Sequence, residues 1–371
     1  MTDRATALWR EPTTVIPPVA LLLLVLTWGN SALPGVVLVI VALALAAVVL
    51  AAVHHAEVVA HRVGEPLGSL LLAVAVTVIE VGLIVSLMIG GDPDASTVAR
   101  DTVFAAVMIC LNGILGISLL LGSIRQGYAT FRADGSGAAL ATVATLATLC
   151  LVLPTFTTSA PGPTYTSVQL AFAAVASLLL YALFVFVQTV RHPYQFGSAE
   201  DGDQGDAVDL TMPHEGDRPT ARTAWISVAL LVIALVAVVG LAKVESPAIK
   251  DAVRAAGLPL SFVGVVIALL VLLPEGLSAM RAARQGNTQR SVNLAMGSAM
   301  ASIGLTIPVV AVASVVLDEP LTLGLGATGM VLLAITTIVG VLTVTPGRAT
   351  LLQGGVHLAL FGAFLVLSVQ A

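Results

Sequence analysis

The sequence predicts an all-α polytopic membrane protein of about eleven transmembrane helices, two inverted-topology five-helix repeats behind one extra N-terminal helix. Three observations lead there. Of 371 residues, 58% are hydrophobic and only 10% charged, where a soluble domain carries about 25% charged residues. The apolar residues gather into runs of the ~20 residues that a helix needs to cross the hydrocarbon core. Two of these runs, one in each half, hold a single acidic residue deep inside: Glu80 and Glu275. The alternating ~10-residue stretches of a membrane β-barrel are absent from the sequence, and the abundance of Ala, Val, Leu and Gly suits closely packed helices.

Taken in order, the apolar runs are 15–31, 34–56, 66–90, 102–123, 137–154, 166–190, 223–243, 258–283, 291–317, 321–345 and 349–370. The first is shortened by Pro17 and Pro18. Arg4 and Arg10 precede it, and no short apolar region with a small-residue cleavage site follows, so it reads as a retained span. Basic residues test the number of spans. With the N-terminus cytoplasmic, alternate loops place twelve of the sixteen Lys and Arg inside, among them Arg62, Arg125, Arg132, Arg281, Arg284, Arg290 and Arg348. Asp92, Asp94, Asp101, Asp318 and Glu319 fall outside. That distribution obeys the positive-inside rule and places the C-terminus outside the cell membrane. Cys110 and Cys150 are isolated in separate spans and form neither a disulfide framework nor a metal motif.

One polar segment, 191–222, interrupts the pattern. It carries Glu200, Asp201, Asp203, Asp206, Asp209, Glu215 and Asp217 among Gly and Pro. Its composition suits a disordered cytoplasmic linker, and its spacing does not match an EF-hand. Residues 246–256 read as a short surface helix. The linker divides the chain into an N-terminal segment with the first span (1–33), a first repeat (34–190) and a second repeat (223–371). Five spans per repeat is an odd number, so the second repeat enters the membrane inverted, as in secondary transporters whose ion sites lie at the repeat interface.

The candidate site follows from this duplication. A carboxylate deep in a bilayer costs at least ~2.5 kcal/mol, and such residues face a partner, a cavity or an ion path. The span after each Glu helix is polar in a matched way: LNGILGISLLLG, with Asn112, and GSAMASIGLTIP, with Ser298 and Ser302. Aligned end to end, the two strings pair Asn112 with Ser298; a register shifted by one turn brings Ser302 opposite instead. Pro274 directly precedes Glu275 and is expected to break the helix and expose carbonyl oxygens there; Thr77 and Gly82 are the candidates for a similar opening near Glu80. Burial and a second nearby carboxylate both raise a carboxyl's proton affinity, and hard cations favour carboxylate, amide, hydroxyl and carbonyl oxygens. One site that takes cation or proton, never both, suffices for antiport when access alternates. His54, His55, Glu57 and His61 cluster at the inner end of the second span and read as ordinary helix-end residues rather than a pH sensor; His357, within the last span, reads as a hydrogen-bonded core histidine rather than a proton relay.

These residues resemble a known family. The string GEPLG, followed by a helix with a central Glu80, is similar to the first repeat of cation/proton exchangers in the calcium:cation antiporter superfamily. LPEGLSAMRAARQGNTQRSVNLAMGSAMASIGLTIP is similar to the second. Calcium/proton exchangers carry Gly-Asn-x-x-Glu in both repeats. Here the corresponding strings are Val76-Thr-Val-Ile-Glu80 and Val271-Leu-Leu-Pro-Glu275, a departure that resembles the bacterial ChaA-type branch of sodium (potassium)/proton and calcium/proton antiporters. The resemblance spans about residues 34–370. It implies Glu80 and Glu275 as cation- and proton-binding carboxylates, with Asn112 and Ser298 as neighbours. The partners expected are inorganic cations (Ca²⁺, Na⁺ or K⁺) and protons, as cargo, with no cofactor and no nucleic acid.

Two other classes fit less well. An intramembrane enzyme lacks its motifs: His-Glu-x-x-His is missing, and Asp92 and Asp94 have no basic cluster beside them. A passive channel would pass current without coupling to a proton gradient.

Overall fold

In lipid a backbone must satisfy its own polar groups, and this chain does so as helices. The computed structural model describes residues 11–30, 33–64, 67–88, 95–197, 219–318 and 321–370. The acidic stretch 198–218, Arg4, Arg10, Asp92, Asp94 and Glu319 lie outside the described residues.

Among the described residues eleven helices follow one another: α1 (Pro12–Thr27), α2 (Gly35–Val63), α3 (Leu67–Met88), α4 (Ser96–Gln126), α5 (Ala133–Phe156), α6 (Ser167–Arg191), α7 (Ala221–Ala255), α8 (Phe262–Arg284), α9 (Thr288–Leu317), α10 (Ala327–Val344) and α11 (Leu351–Gln370). Among the described residues nine are long and apolar enough to cross a membrane, while the apolar stretches Pro12–Thr27 and Ala73–Ser86 are shorter. After α1 the elements repeat in kind. A long helix (α2, α7) precedes a helix with an internal glutamate (α3, α8). Next comes a helix of irregular backbone (α4, α9), and then two more.

Three boundaries differ from expectation. Residues 246–255 do not form a separate surface helix but continue α7, with Pro247 inside it. The Ala, Lys and Val residues around Pro247 are tolerated in helix, and the ladder resumes after the one lost donor. Gly257, at φ +70°, ends the path, and α8 begins only at Phe262. Residues 321–326 do not start α10. They run across neighbouring loops, with Thr322 N donating to Ser96 O (2.9 Å), Gly324 N to Pro163 O (3.0 Å) and Leu325 N to Leu151 O (2.8 Å). A Cβ at Gly324 would collide with Thr155 and Pro163, so only glycine lets this strap lie so close.

The chain divides into two compact units, each drawing on both halves of the sequence: Met1–Gly91 with Thr211–Gly257, and Asp92–Leu210 with Leu258–Ala371. In the first, α1, α2, α3 and α7 pack together. Lys243 Nζ sits 5.4 Å from the Trp28 ring centroid. His55 of α2 bridges the starts of α1 and α7, with Nε2 3.0 Å from Thr13 O and Nδ1 3.4 Å from Ser227 Oγ. These contacts set α1 and α7 parallel and α2 antiparallel to both.

The second unit contains α4–α6 and α8–α11. Its loop contacts sort into two rims. On one, the two-residue strands β1 (Ala129–Thr130) and β2 (Arg348–Ala349) pair antiparallel, Ala129 opposite Ala349. On the same rim Arg132 N donates to Gln289 Oε1 (2.6 Å), Asn293 Nδ2 donates to Phe196 O (2.7 Å), and Arg125 donates to Arg284 O. The opposite rim holds Ser96, Thr155, Pro163 and residues 321–326. Every pair of loops that meets is separated along the chain by an even number of helices. Even spacing is what eleven crossings require, and omission of any helix between two touching loops would destroy it.

Candidate cation-binding site

Glu80 lies in the first unit, on α3, and is only 2% exposed. Its helix approaches α7 closely, because a Cβ at Gly82 would collide with the Val239 side chain. No opening occurs beside it. Thr77 Oγ1 donates back to Ala73 O at 2.9 Å and Ser86 Oγ to Gly82 O at 2.6 Å. Such i−4 bonds satisfy the hydroxyl within a continuous helix, so the expected break near Thr77 or Gly82 is absent.

Glu275 lies in the second unit, on α8, and the expected break at Pro274 is absent too. The helix runs unbroken from Phe262 to Arg284 with Pro274 inside. Proline has no N–H to give the Leu270 carbonyl, but packing against α4 and α9 holds the helical path. The residue after Glu275, Gly276, faces the turn that carries Asn112: a Cβ there would meet Ile114 Cδ1 at 3.6 Å.

Irregular backbone occurs instead on α4 and α9, in the two polar strings. Residues Ile109–Ile114 of α4 form a π-helix, Leu115 N bonding Cys110 O five residues back. Such widened turns accompany functional sites. On α9 the helix stops at Gly304 and restarts at Thr306, with Leu305 between. Pro308 explains this break: it lacks the N–H that would bond the Gly304 carbonyl, and its ring crowds that carbonyl. Thr306, fully buried at the break, has no hydrogen-bond partner for its hydroxyl among the described residues. Ser302 is buried one turn earlier, while Ser298 is half-buried. A Cβ at the adjacent Gly297 would meet nothing within 4 Å. The second unit thus gathers Glu275, Asn112 and the Ser298–Ser302 segment on three mutually packed helices.

Asn112 does not act alone. Its Nδ2 donates to Thr336 Oγ1 of α10 at 2.9 Å, and its Oδ1 lies 3.2 Å from His357 Nδ1 of α11. His357 Nε2 lies 3.1 Å from Thr343 Oγ1. All four side chains are buried. The sequence offered one partial signal. Thr336 and Thr343 are seven residues apart, two turns on one face of α10, and His357 is an isolated polar residue in an apolar span. The distant pairing with Asn112 had no signal.

Glu245 of α7 is, like Glu80, a buried carboxylate; it lies beyond the apolar run read as ending at residue 243, and its Oε2 has no hydrogen-bond partner among the described residues. Among the described residues no three His, Cys, Asp or Glu side chains gather into a metal-holding group. A cation held here takes amide, hydroxyl or carbonyl oxygens beside a carboxylate, as hard cations accept.

The family described as sodium/calcium exchanger protein matches residues 31–190 and 226–370. The chain belongs to the sodium/calcium exchanger family. The two matched segments lie on either side of the acidic linker. A protein of Sinorhizobium fredii named as an ionic transporter, y4hA, is 49% identical over 86% of this chain and 85% of its own length. The sodium-potassium/proton antiporter ChaA of Escherichia coli is 35% identical over 96% of each chain. Among solved structures, an H⁺/Ca²⁺ exchanger CAX shares the fold with a TM-score of 0.70 over 98% of this chain and 89% of its own, at 14% identity. This membership makes the chain a multi-pass membrane transporter of cations rather than an enzyme.

Proposed function

We propose that this exchanger drives cytoplasmic cations out of the cell in exchange for protons, with Glu80 and Glu275 as the carboxylates that carry the exchanged ions. One observation carries the reading. The second helix of each five-helix set holds a single internal glutamate, and Glu80 is buried to 2% exposure in an apolar environment. A carboxyl so placed holds either a proton or a hard cation, because both neutralise the charge that burial disfavours. Asn112, Ser298 and Ser302 supply amide and hydroxyl groups around the Glu275 side of the machinery, and the carbonyls freed at the α9 break add backbone oxygens.

The cargo proposed is Na⁺, K⁺ or Ca²⁺. ChaA of Escherichia coli carries sodium and potassium against protons by its name, and a relative in Aphanothece halophytica, 22% identical, is named as a Ca²⁺/H⁺ antiporter. The basic residues on the β1–β2 rim favour that rim as cytoplasmic, with the N-terminus inside and the C-terminus outside.

Proton release from inside-out vesicles on addition of Ca²⁺, Na⁺ or K⁺ tests the proposal and names the cargo. Wild-type vesicles release protons on addition of at least one of these cations, whereas Glu80→Gln and Glu275→Gln slow release at least ~10-fold, equivalent to about 1.4 kcal/mol in the barrier. Wild-type rates in both variants would refute the carboxylate mechanism. Cation current with no proton movement would indicate a channel.

A further inference from the structure

With the Asn112 amide oriented Nδ2 toward Thr336 Oγ1, the hydrogen bonds around His357 fix where its hydrogen sits. Asn112 Nδ2 carries only hydrogens and donates to Thr336 Oγ1, so the atom facing His357 Nδ1 is the amide oxygen. An amide oxygen only accepts, and His357 Nδ1 therefore bears the hydrogen. A neutral ring protonated at Nδ1 keeps a lone pair on Nε2, and the Thr343 hydroxyl donates to it. Thr336, having accepted from Asn112, directs its own hydrogen toward Met108 Sδ at 3.7 Å. In this amide orientation the other tautomer would oppose two lone pairs, and a flip of the amide alone would oppose two N–H groups. The cluster therefore couples the His357 tautomer to the Asn112 amide orientation.

The same imidazole lies against the widened turn, because its Nδ1 partner Asn112 is within the π-helical residues 109–114. Glycines bring the two helices near enough for this. A Cβ at Gly116 would lie 3.0 Å from His357 Cβ and 3.1 Å from Leu358 N. On its other side the turn abuts α8, where Ile114 faces Gly276, the neighbour of Glu275.

We propose that His357 is a positioning residue for transport: its Nδ1–H fixes the Asn112 amide and the π-helical turn, and that turn sets the wall against which the Glu275 segment lies. The assignment rests on Glu275 being an ion-binding carboxylate. It gives His357 no proton to carry; the imidazole stays neutral and acts through Asn112.

The test uses the full chain in inside-out vesicles and measures proton release across a series of concentrations of whichever of Ca²⁺, Na⁺ or K⁺ the wild type exchanges. In His357→Asn the side-chain Nδ2 takes the place of imidazole Nδ1 and keeps the donor to Asn112. In His357→Gln the amide reaches toward Thr343 and that donor is lost. His357→Asn is expected to keep the half-saturating cation concentration within about threefold of wild type, and His357→Gln to raise it ~10-fold at an unchanged maximal rate, the cost of a buried acceptor left without its donor. The pH profile of His357→Asn superimposes on that of the wild type. A displaced profile would place His357 on the proton path and overturn the positioning role. So would wild-type half-saturation in His357→Gln, or an equal loss of maximal rate in both variants with half-saturation unchanged. Wild-type vesicles without cation-dependent proton release would sink the antiport reading and this assignment together, whereas an active wild type with an indifferent His357→Gln would sink the assignment alone.

Discussion

Gly354 of α11 lies so close to α4 that a Cβ added to it would stand 3.0 Å from the Gly116 carbonyl oxygen and 2.8 Å from Leu120 N. Both atoms belong to backbone and cannot rotate away, so the two helices touch main chain to main chain. Small residues permit such contacts in membranes, where packing rather than water exclusion drives helix association. Gly354→Ala should therefore lower stability by ~1–3 kcal/mol through overpacking, and reduce transport along with it. Gly355→Ala, whose Cβ would meet nothing within 4 Å, should leave the thermal midpoint in detergent unchanged. Equal midpoints for the two variants would show that the close approach is not tight.

The break in α9 is assigned to Pro308. Pro308→Ala returns a donor to the Gly304 carbonyl and removes a ring whose cost within a helix is about 3 kcal/mol. The variant is expected to be as stable as the wild type or more so, and to exchange cations at least ~10-fold more slowly. Pro274→Ala, in a helix already continuous, should change the exchange rate less. The reverse order would move the functional break to α8.

Topology can be read with thiol reagents that do not cross membranes. Cys110 and Cys150 are buried and should remain silent. Cysteines introduced at the exposed positions Thr130 and Arg348 should be labelled from one side and cross-link on oxidation, since these residues are paired across β1 and β2. A cysteine at Ser159, exposed on the opposite rim, should be labelled only from the other side. Labelling of Thr130→Cys and Ser159→Cys from the same side would contradict an even separation of the loops. Labelling of Thr130→Cys from the cytoplasmic side fixes the N-terminus inside.

Tyr165, in the loop before α6, donates its hydroxyl to Leu149 O at 2.6 Å, a carbonyl in the π-helical turn Thr148–Val152. Burial, with a smaller contribution from Cys150, pushes its phenol up to about 12 from the ordinary 10. The neutral phenol is thus favoured in the folded state. Its stabilisation is fully present below pH 10 and is lost as pH rises from 10 through 12. Tyr165→Phe should make the thermal midpoint less sensitive to pH across that window. A slope as steep as the wild type's would assign the alkaline loss to other groups.

Membrane class, the approximate positions of eleven helices and the twin placement of Glu80 and Glu275 were legible from the sequence, because hydropathy is a local property and lipid enforces it on every span. So was the matched polarity of the two strings, but not the irregularity of their backbone, since breaks were expected at Pro274 and near Thr77 or Gly82. Other local signals misled. Pro274 and Pro247 both lie inside unbroken helices, because a proline removes one donor and the surrounding packing decides whether the helix survives it.

What the sequence determined by itself was the material of the candidate site: Glu80 and Glu275 within apolar helices, and the spans that carry polar oxygens beside them. What only the tertiary structure decided was the company those residues keep. Asn112 meets His357 across 245 residues, and His357 meets Thr343 because α10 and α11 fold back beside α4. No periodicity along the chain encodes that meeting. It depends on how closely two glycine faces allow the helices to approach, and on donors and acceptors that leave the buried amide and imidazole satisfied together.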